Sequence, residues 1–434
     1  MIIQGDCIEK MKELPENSVD TIITDPPYGL SFMGKKWDYD VPSKKVWKEC
    51  LRVLKPGGTA LIFAGSRTQH RMAVNVEDAG FLLKDCIMWL YGSGFPKATD
   101  ISKQLDKRGG NNHLASEFAI KLKEARTSRG IGATQADKMF CGGTTNYSWF
   151  EGRPKGQRMP TDKEAILIMN EWEELKPLLE KVLKVERDIV GKYDADMGGL
   201  GGERLGEKDG DITVSKTPEA KLWNGWKSHG LKPAYEPIIV AMKPNEGSYA
   251  NNALKYGVAG INIDGARIGS ELPEGRKRHG GGIKGNGTSY EMPDSKGELP
   301  SGRFPANILL DEEAAKQLGE PSRFFYCPKA SKSERNAGCE EFDIPEYRWN
   351  NGGEMKQIEG TKGNSHPTVK PIKLMEYLCT LTRTPTGGIV LDPFMGSGTT
   401  ALSCQNLHRN FIGIEISKEY CKIAEERLKQ KPLI

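Results

Sequence analysis

The chain has 434 residues, 37% of them hydrophobic and 28% charged, enough for two or three domains' worth of core. No apolar run approaches the roughly 20 residues of a membrane span, and a net charge of +4 is too small to argue for a polyanion partner by itself. Nine scattered cysteines, with no Cys-x-x-Cys pair and no Cys/His cluster at zinc spacing, read as reduced thiols in a cytoplasmic protein without a metal, and the first residues lack signal-peptide anatomy.

A short apolar start leads to Gly5-Asp6-Cys7, after which Ile8, Met11 and Leu14 recur at helical spacing up to Pro15. Asp6 suits a helix N-cap. An Asp at the carboxyl end of an edge strand can also accept from the amino group of a nucleotide-like cofactor. Residues 19–24 read as a buried strand, and Asp25-Pro26-Pro27-Tyr28 leaves its carboxyl end, where open α/β sheets bind ligands. The prolines stiffen the backbone and hold it away from helix. These residues meet the needs of methylation at an exocyclic amino group. That nitrogen is a poor nucleophile because its lone pair is delocalised into the ring. Two acceptors, the Asp25 carboxylate and a backbone carbonyl such as that of Pro26, pull it towards sp³ geometry, and Tyr28 can stack on the base. An ordinary turn with a buried Tyr is the alternative. The motif resembles that of the DNA amino-methyltransferases, which modify adenine N6 or cytosine N4 with S-adenosylmethionine. The resemblance implies a cofactor role for Asp6, with Cys7 beside it, and for Asp25.

The next segment, 32–38, reads as a loop over the pocket, with Trp37 either packed or a second stacking group. A helix over 46–54, a turn at Lys55-Pro56-Gly57-Gly58, a strand over 59–63, a helix over 70–79 and a strand over 81–90 follow. Strands alternating with helices predict a parallel, doubly wound sheet. Near Gly92 the pattern changes, and 97–232 reads as a mostly helical, polar insertion. Phe118, Leu122 and Ala125 make one helical face that Gly130 ends, and further short helices are expected over 134–140 and 144–150. The stretch 117–153 resembles the helix-turn-helix of phage repressors. That places Asn146, Tyr147, Ser148 and Arg153 among the candidates for DNA contact, and it hints at a phage or prophage setting. An ordinary helical hairpin is the alternative. Ile166, Met169, Trp172, Leu175 and Leu179 form an apolar stripe expected to pack internally.

Residues 236–241 predict another strand, similar to one that the amino-methyltransferases place just past the catalytic half. The segment 245–302 is Gly-rich and expected to be irregular. Its Arg276, Lys277 and Arg278 would neutralise phosphates or lie in a solvated loop. The fold resumes at Phe304. Asn364-Ser365-His366-Pro367-Thr368-Val369-Lys370-Pro371 resembles a second family motif, which implies that His366, Thr368 and Lys370 wrap the methionine end of the cofactor. A structural salt bridge is the other reading of Lys370. The strand Ile389-Val390-Leu391 then feeds Asp392-Pro393-Phe394-Met395-Gly396-Ser397-Gly398-Thr399, where glycines let backbone approach a ligand. The absence of a Lys there argues against a P-loop. Glu415, at the end of the next strand, suits a ribose diol, and Ser417 caps a last helix.

The catalytic half thus precedes the cofactor half, an order that circular permutation explains. The whole resembles the β group of amino-methyltransferases. The expected architecture is a mostly parallel, Rossmann-like core over 1–96, 233–244 and 303–434, with insertions at 97–232 and 245–302. The expected activity is transfer of a methyl group to adenine N6 in double-stranded DNA after base flipping, because Asp at the first motif position resembles the adenine enzymes. Cytosine N4 is the runner-up, followed by an RNA or protein amide. A companion restriction endonuclease and a homodimer stay open.

Overall fold

A computed structural model of the chain describes residues 1–30, 38–92, 98–106, 112–142, 160, 162–182, 188–192, 211–269, 301–325, 336–339, 346–349, 355–358, 363–364, 366 and 369–429. It divides into two units, Met1–Gly94 with Ala234–Ile434, and Phe95–Pro233. The strands are β1 (Ile2–Gln4), β2 (Val19–Thr24), β3 (Leu54–Phe63), β4 (Leu82–Leu90), β5 (Asp188–Lys192), β6 (Asp211–Val214), β7 (Tyr235–Met242), β8 (Ile308–Leu310), β9 (Glu346–Trp349), β10 (Met355–Ile358), β11 (Ile389–Asp392) and β12 (Asn410–Glu415).

In the first unit eight strands form one sheet, in the order β1-β12-β11-β2-β3-β7-β4-β8. The sheet is mostly parallel, but β7 runs antiparallel to both β3 and β4. Side chains alternate across it as strand geometry requires. Ile22, Ala60 and Ile62 pack with Trp47, Met72 and Val76 of the helices Lys44–Val53 and Gln69–Asp78. Their neighbours Ile23, Leu61 and Phe63 face the other way, onto Leu374 and Leu378 of the helix Ile372–Leu381. Helices therefore cover both faces, the Rossmann-like doubly wound arrangement that the alternating pattern predicts.

Two local readings change. The expected turn at 55–58 is part of β3, which begins at Leu54. Gly57 takes φ +76° there and Gly58 lies against Leu54, so the glycines relieve crowding inside a strand rather than reverse the chain. The segment after Asn245 is not wholly irregular. Ser248 caps a helix, Tyr249–Tyr256, and Gly257 closes it in the left-handed region. Asn252, fully buried, donates to the carbonyls of Pro56 and Val258 and pins that helix to the sheet.

In the second unit the helices Asn112–Ser128, Ala133–Cys141, Asp162–Glu171 and Lys176–Val182 enclose Phe118, Leu122, Phe140, Ile168, Trp172 and Leu179. Trp172 meets Phe140 edge-on at 4.8 Å. The apolar stripe is thus internal packing, except that Ile166 is exposed while Ala165 and Ile168 face inward. The third helix of the expected helix-turn-helix, with Asn146, Tyr147, Ser148 and Arg153, lies outside the described residues, as do Trp37, Thr368, Arg276, Lys277 and Arg278. Among the described residues no helix is long and apolar enough to cross a membrane.

Candidate active site

The two motifs that the sequence separates by more than 350 residues leave adjacent parallel strands. β2 and β11 pair through Thr21 with Val390 and Ile22 with Leu391. At their carboxyl ends the Thr24 hydroxyl donates to Asp392 Oδ1 at 2.7 Å. Asp25-Pro26-Pro27-Tyr28 and the Gly-rich loop therefore open on the same edge of the sheet.

Asp25 sits at the centre of a compact polar cluster. The Tyr28 hydroxyl donates to Asp25 Oδ1 at 2.7 Å and lies 3.1 Å from Glu236 Oε2. Lys370 Nζ donates to Asp25 Oδ2 at 2.7 Å, lies 3.2 Å from Glu236 Oε2 and approaches the Tyr28 hydroxyl at 3.3 Å. Its ammonium also sits 5.0 Å from the Phe63 ring centre. Burial alone would lower the pKa of Lys370, but the Asp25 and Glu236 carboxylates outweigh it and hold the lysine charged. Burial, followed by those same two carboxylates, raises the Tyr28 phenol well above its ordinary value, so it remains a donor. Two carboxylates against one ammonium leave the cluster net anionic.

The Lys370 ammonium is bound to Asp25 and Glu236, the salt bridge that is the second reading of this residue. Glu236 had no motif to announce it. It stands at the amino end of β7, and only the antiparallel direction of that strand carries it to the carboxyl edge of the sheet, where Ile238 pairs with Phe63.

A second unannounced residue shapes the segment that carries Tyr28. Asp38, 2% exposed, accepts from the backbone N–H groups of Tyr28 at 2.7 Å, Gly29 at 2.9 Å and Leu30 at 3.2 Å. The Thr68 hydroxyl holds the Tyr28 carbonyl at 2.6 Å. Pro26 is buried, and no described residue donates to its carbonyl.

The Gly-rich loop Pro393–Thr399 is built around Glu415. Its carboxylate accepts from Gly396 N at 2.9 Å and Ser417 N at 2.8 Å. Arg427, buried behind the loop, donates to the Ser397 carbonyl at 2.7 Å and the Thr399 hydroxyl at 3.0 Å. Phe394 N donates to Asp392 at 3.1 Å, and Gly398 N donates back to the Met395 carbonyl at 3.0 Å. Gly396 takes φ +56°, and a Cβ there would stand 2.7 Å from His366 Nε2. His366 itself meets Tyr420 edge-on at 4.6 Å. We expect Gly396→Ala to lower cofactor affinity about thirtyfold, because left-handed strain and the His366 clash together reach about 2 kcal/mol. Calorimetric titration with S-adenosylmethionine tests this, and an unchanged affinity would count against the loop's role.

Asp6 caps the helix Cys7–Lys12, its Oδ1 accepting from Ile8 N and Glu9 N, which leaves Oδ2 without a described donor. β1 pairs with β12 through Gln4 and Glu415, so Asp6 and Glu415 leave neighbouring strands at the same edge. Burial and then the Asp6 carboxylate push the Cys7 thiol up to about 11, so it is a neutral neighbour rather than a nucleophile.

Asp392 is buried. Thr24 and Thr400 donate to its two oxygens at 2.7 and 2.6 Å, so it positions β2 against the Gly-rich loop. Burial pushes its pKa up to about 6 even against those donors. A raised native pKa means that its contribution to stability is present below the unfolded value of about 4 and is lost as pH rises through 6. Relative to Asp392→Asn, the wild type should therefore lose on the order of 2–3 kcal/mol between pH 4 and 7. Denaturant melts across that range test it, and parallel curves would contradict it.

This is a doubly wound sheet whose carboxyl edge joins an acidic Asp-Pro-Pro-Tyr cluster to a glycine loop. The chain matches the family described as DNA methylase (the N6/N4 methyltransferase model) over residues 19–120 and 165–426, well over half its length, and it belongs to that family. Its cofactor is S-adenosylmethionine. The chain is similar to the type II methyltransferase M2.DpnII of Streptococcus pneumoniae, 40% identical over 114 residues, which are 26% of this chain and 40% of that protein. It is 50% identical over 64 residues to M.SmaI of Serratia marcescens, covering 15% and 22% of the two proteins. Over a stretch of 64 residues it is 56% identical to the orphan methyltransferase M.BamHII of Bacillus amyloliquefaciens, covering 15% and 24%. The matches thus span less than half the length of these curated relatives. Among solved structures, the M1.HpyAVI–SAM complex aligns over 99% of both chains at 18% identity with a TM-score of 0.38. PvuII DNA methyltransferase (cytosine-N4-specific) aligns over 100% of this chain and 87% of that one, at 14% identity with a TM-score of 0.41.

The residues present suit S-adenosylmethionine. Asp6 and Glu415 offer carboxylate oxygens at adjacent strand ends for amino and hydroxyl groups. At Gly396 (φ +56°) a Cβ would stand 2.7 Å from His366 Nε2, so the loop passes His366 at a distance that glycine allows. The net anionic Asp25 cluster suits a sulfonium.

Proposed function

We propose that the protein methylates the N6 amino group of adenine in double-stranded DNA at a specific sequence, with the cluster around Asp25 as the methyl-transfer centre. The single observation that carries this reading is the contact between the two motifs, Thr24 to Asp392, which puts Asp25 and the glycine loop on one edge of the sheet. S-adenosylmethionine, when bound by the loop with Asp6, His366 and Glu415, supplies an electrophilic methyl group. The chain's own residues prepare the acceptor. A base inside a duplex cannot reach them, so the target is flipped out at a cost of a few kcal/mol. Tyr28 stacks on the flipped base. Asp25 and the Pro26 carbonyl accept the two amino hydrogens, which draws the nitrogen lone pair out of conjugation and aims it. Orientation and fixed electrostatics supply most of the acceleration.

The order of the motifs, with Asp25 ahead of the glycine loop, supports the circularly permuted β arrangement. The basic residues 276–278 and the 117–153 segment are the proposed DNA contacts. A companion restriction endonuclease fits the type II naming of two relatives. The choice of adenine rests on Asp at the first motif position, and N4 of cytosine is the second reading. Digestion of methylated DNA followed by nucleoside chromatography decides between them. N6-methyladenine is the expected product. N4-methylcytosine would keep the site and overturn the base.

A further inference from the structure

In the structure both oxygens of Asp25 are taken. Tyr28 holds Oδ1 at 2.7 Å and Lys370 holds Oδ2 at 2.7 Å. The Lys370 ammonium neutralises the oxygen that must accept a target amino hydrogen, and Asp25 is the stronger acceptor once that ammonium moves off. Lys370 is also nearly buried, and an ammonium cannot be released into an apolar wall without a second anion to receive it. Glu236 is that anion. Its Oε2 lies 3.2 Å from Lys370 Nζ and 3.1 Å from the Tyr28 hydroxyl, on the far side of the same cluster.

We propose that Glu236 is a positioning residue that receives the Lys370 ammonium when the target amino group displaces it from Asp25. The inference rests on the methyl-transfer reading of the cluster. No proton moves in the exchange. Lys370 gives up one hydrogen bond and shortens another, Asp25 stays a carboxylate, and its Oδ2 passes from a cation to a neutral amine. The exchange keeps Asp25 masked until a base is seated. It then leaves a carboxylate without its cation facing a nitrogen that gains positive charge as the methyl transfers, which is where a fixed negative charge helps most. Lys370, in turn, stays neutralised throughout, so the buried cluster never carries a lone cation.

The test is a double-variant cycle with full-length protein, duplex DNA and tritium-labelled S-adenosylmethionine, with cofactor affinity read separately by calorimetry. Glu236→Gln leaves Lys370 with Asp25 as its one counter-ion, so the clamp tightens. Its kcat is expected to fall about 50-fold, with cofactor affinity changed less than about threefold. Removing the clamp in Glu236→Gln with Lys370→Met should then raise kcat about tenfold above the Glu236→Gln value, a rescue that a purely structural glutamate would not produce. If Glu236→Gln fails to fold, Glu236→Asp replaces it, with a smaller loss that Lys370→Met also relieves. Losses that add, or a Glu236→Gln protein with wild-type kcat, would overturn the proposal. Wild-type transfer of label to DNA is measured in the same assay. Its absence would sink the methyl-transfer reading itself, whereas transfer with additive variants would sink this exchange alone.

Discussion

Asp25→Ala should lower methyl transfer by about 10²–10³-fold while leaving S-adenosylmethionine affinity nearly intact. In the proposed mechanism the carboxylate is the acceptor that draws the nitrogen lone pair out of conjugation, and the loss of one such oriented group costs about 10²–10³-fold in kcat. The proposed cofactor partners lie elsewhere, at Asp6, Glu415 and the loop around Gly396. The fold should survive as well. When Asp25 is removed, Lys370 keeps Glu236 at 3.2 Å as its counter-ion, so no lone buried cation remains. Single-turnover kinetics and calorimetric titration read the two properties separately. Lost cofactor binding in Asp25→Ala would contradict this division of labour, and turnover within about tenfold of wild type would remove Asp25 from the chemistry.

The second large effect is expected at Asp38, which no motif marks. Its carboxylate gathers three successive backbone N–H groups, those of Tyr28, Gly29 and Leu30. Asp38→Ala strips the acceptor from all three in a buried setting, at a cost of about 1 kcal/mol or more for each, so about 3 kcal/mol of stability should be lost. Because these amides fix the chain that carries Tyr28, kcat should fall by about 10²-fold or more even where the protein remains folded. Asp38→Asn, which retains one acceptor oxygen, should recover part of both. Urea melts together with steady-state kinetics check this. A stability change under about 0.5 kcal/mol would show that the cradle contributes little.

The sequence was most legible where a strand, a turn and a chemical motif coincide. β2 with Asp25 to Tyr28, β11 with the glycine loop and β12 with Glu415 all carry their period and their punctuation in a single stretch. The Asp6 cap follows from a preference of the same local kind. Glu236 was not legible because its place depends on the direction of β7. An alternation of strands and helices predicts parallel neighbours, and a parallel β7 would have carried Glu236 to the opposite edge. Asp38 was missed for a related reason. Its partners are backbone amides ten residues away, and no side-chain pattern encodes them. Lys370 illustrates a third limit. The motif that contains it was recognisable, but which anion the lysine meets is decided by how that segment packs against β2 and β7.

The central claim is that the Asp25 cluster transfers a methyl group to an amino group of duplex DNA. The most direct measurement is incubation of the protein with tritium-labelled S-adenosylmethionine and duplex DNA of varied sequence, followed by counting of label in the recovered DNA for wild type and Asp25→Ala. The account predicts label in wild-type reactions, confined to fragments that share one short sequence, and about 10²–10³-fold slower labelling for Asp25→Ala. Demonstrated cofactor binding with no label in any DNA, or equal label from both proteins, would contradict it.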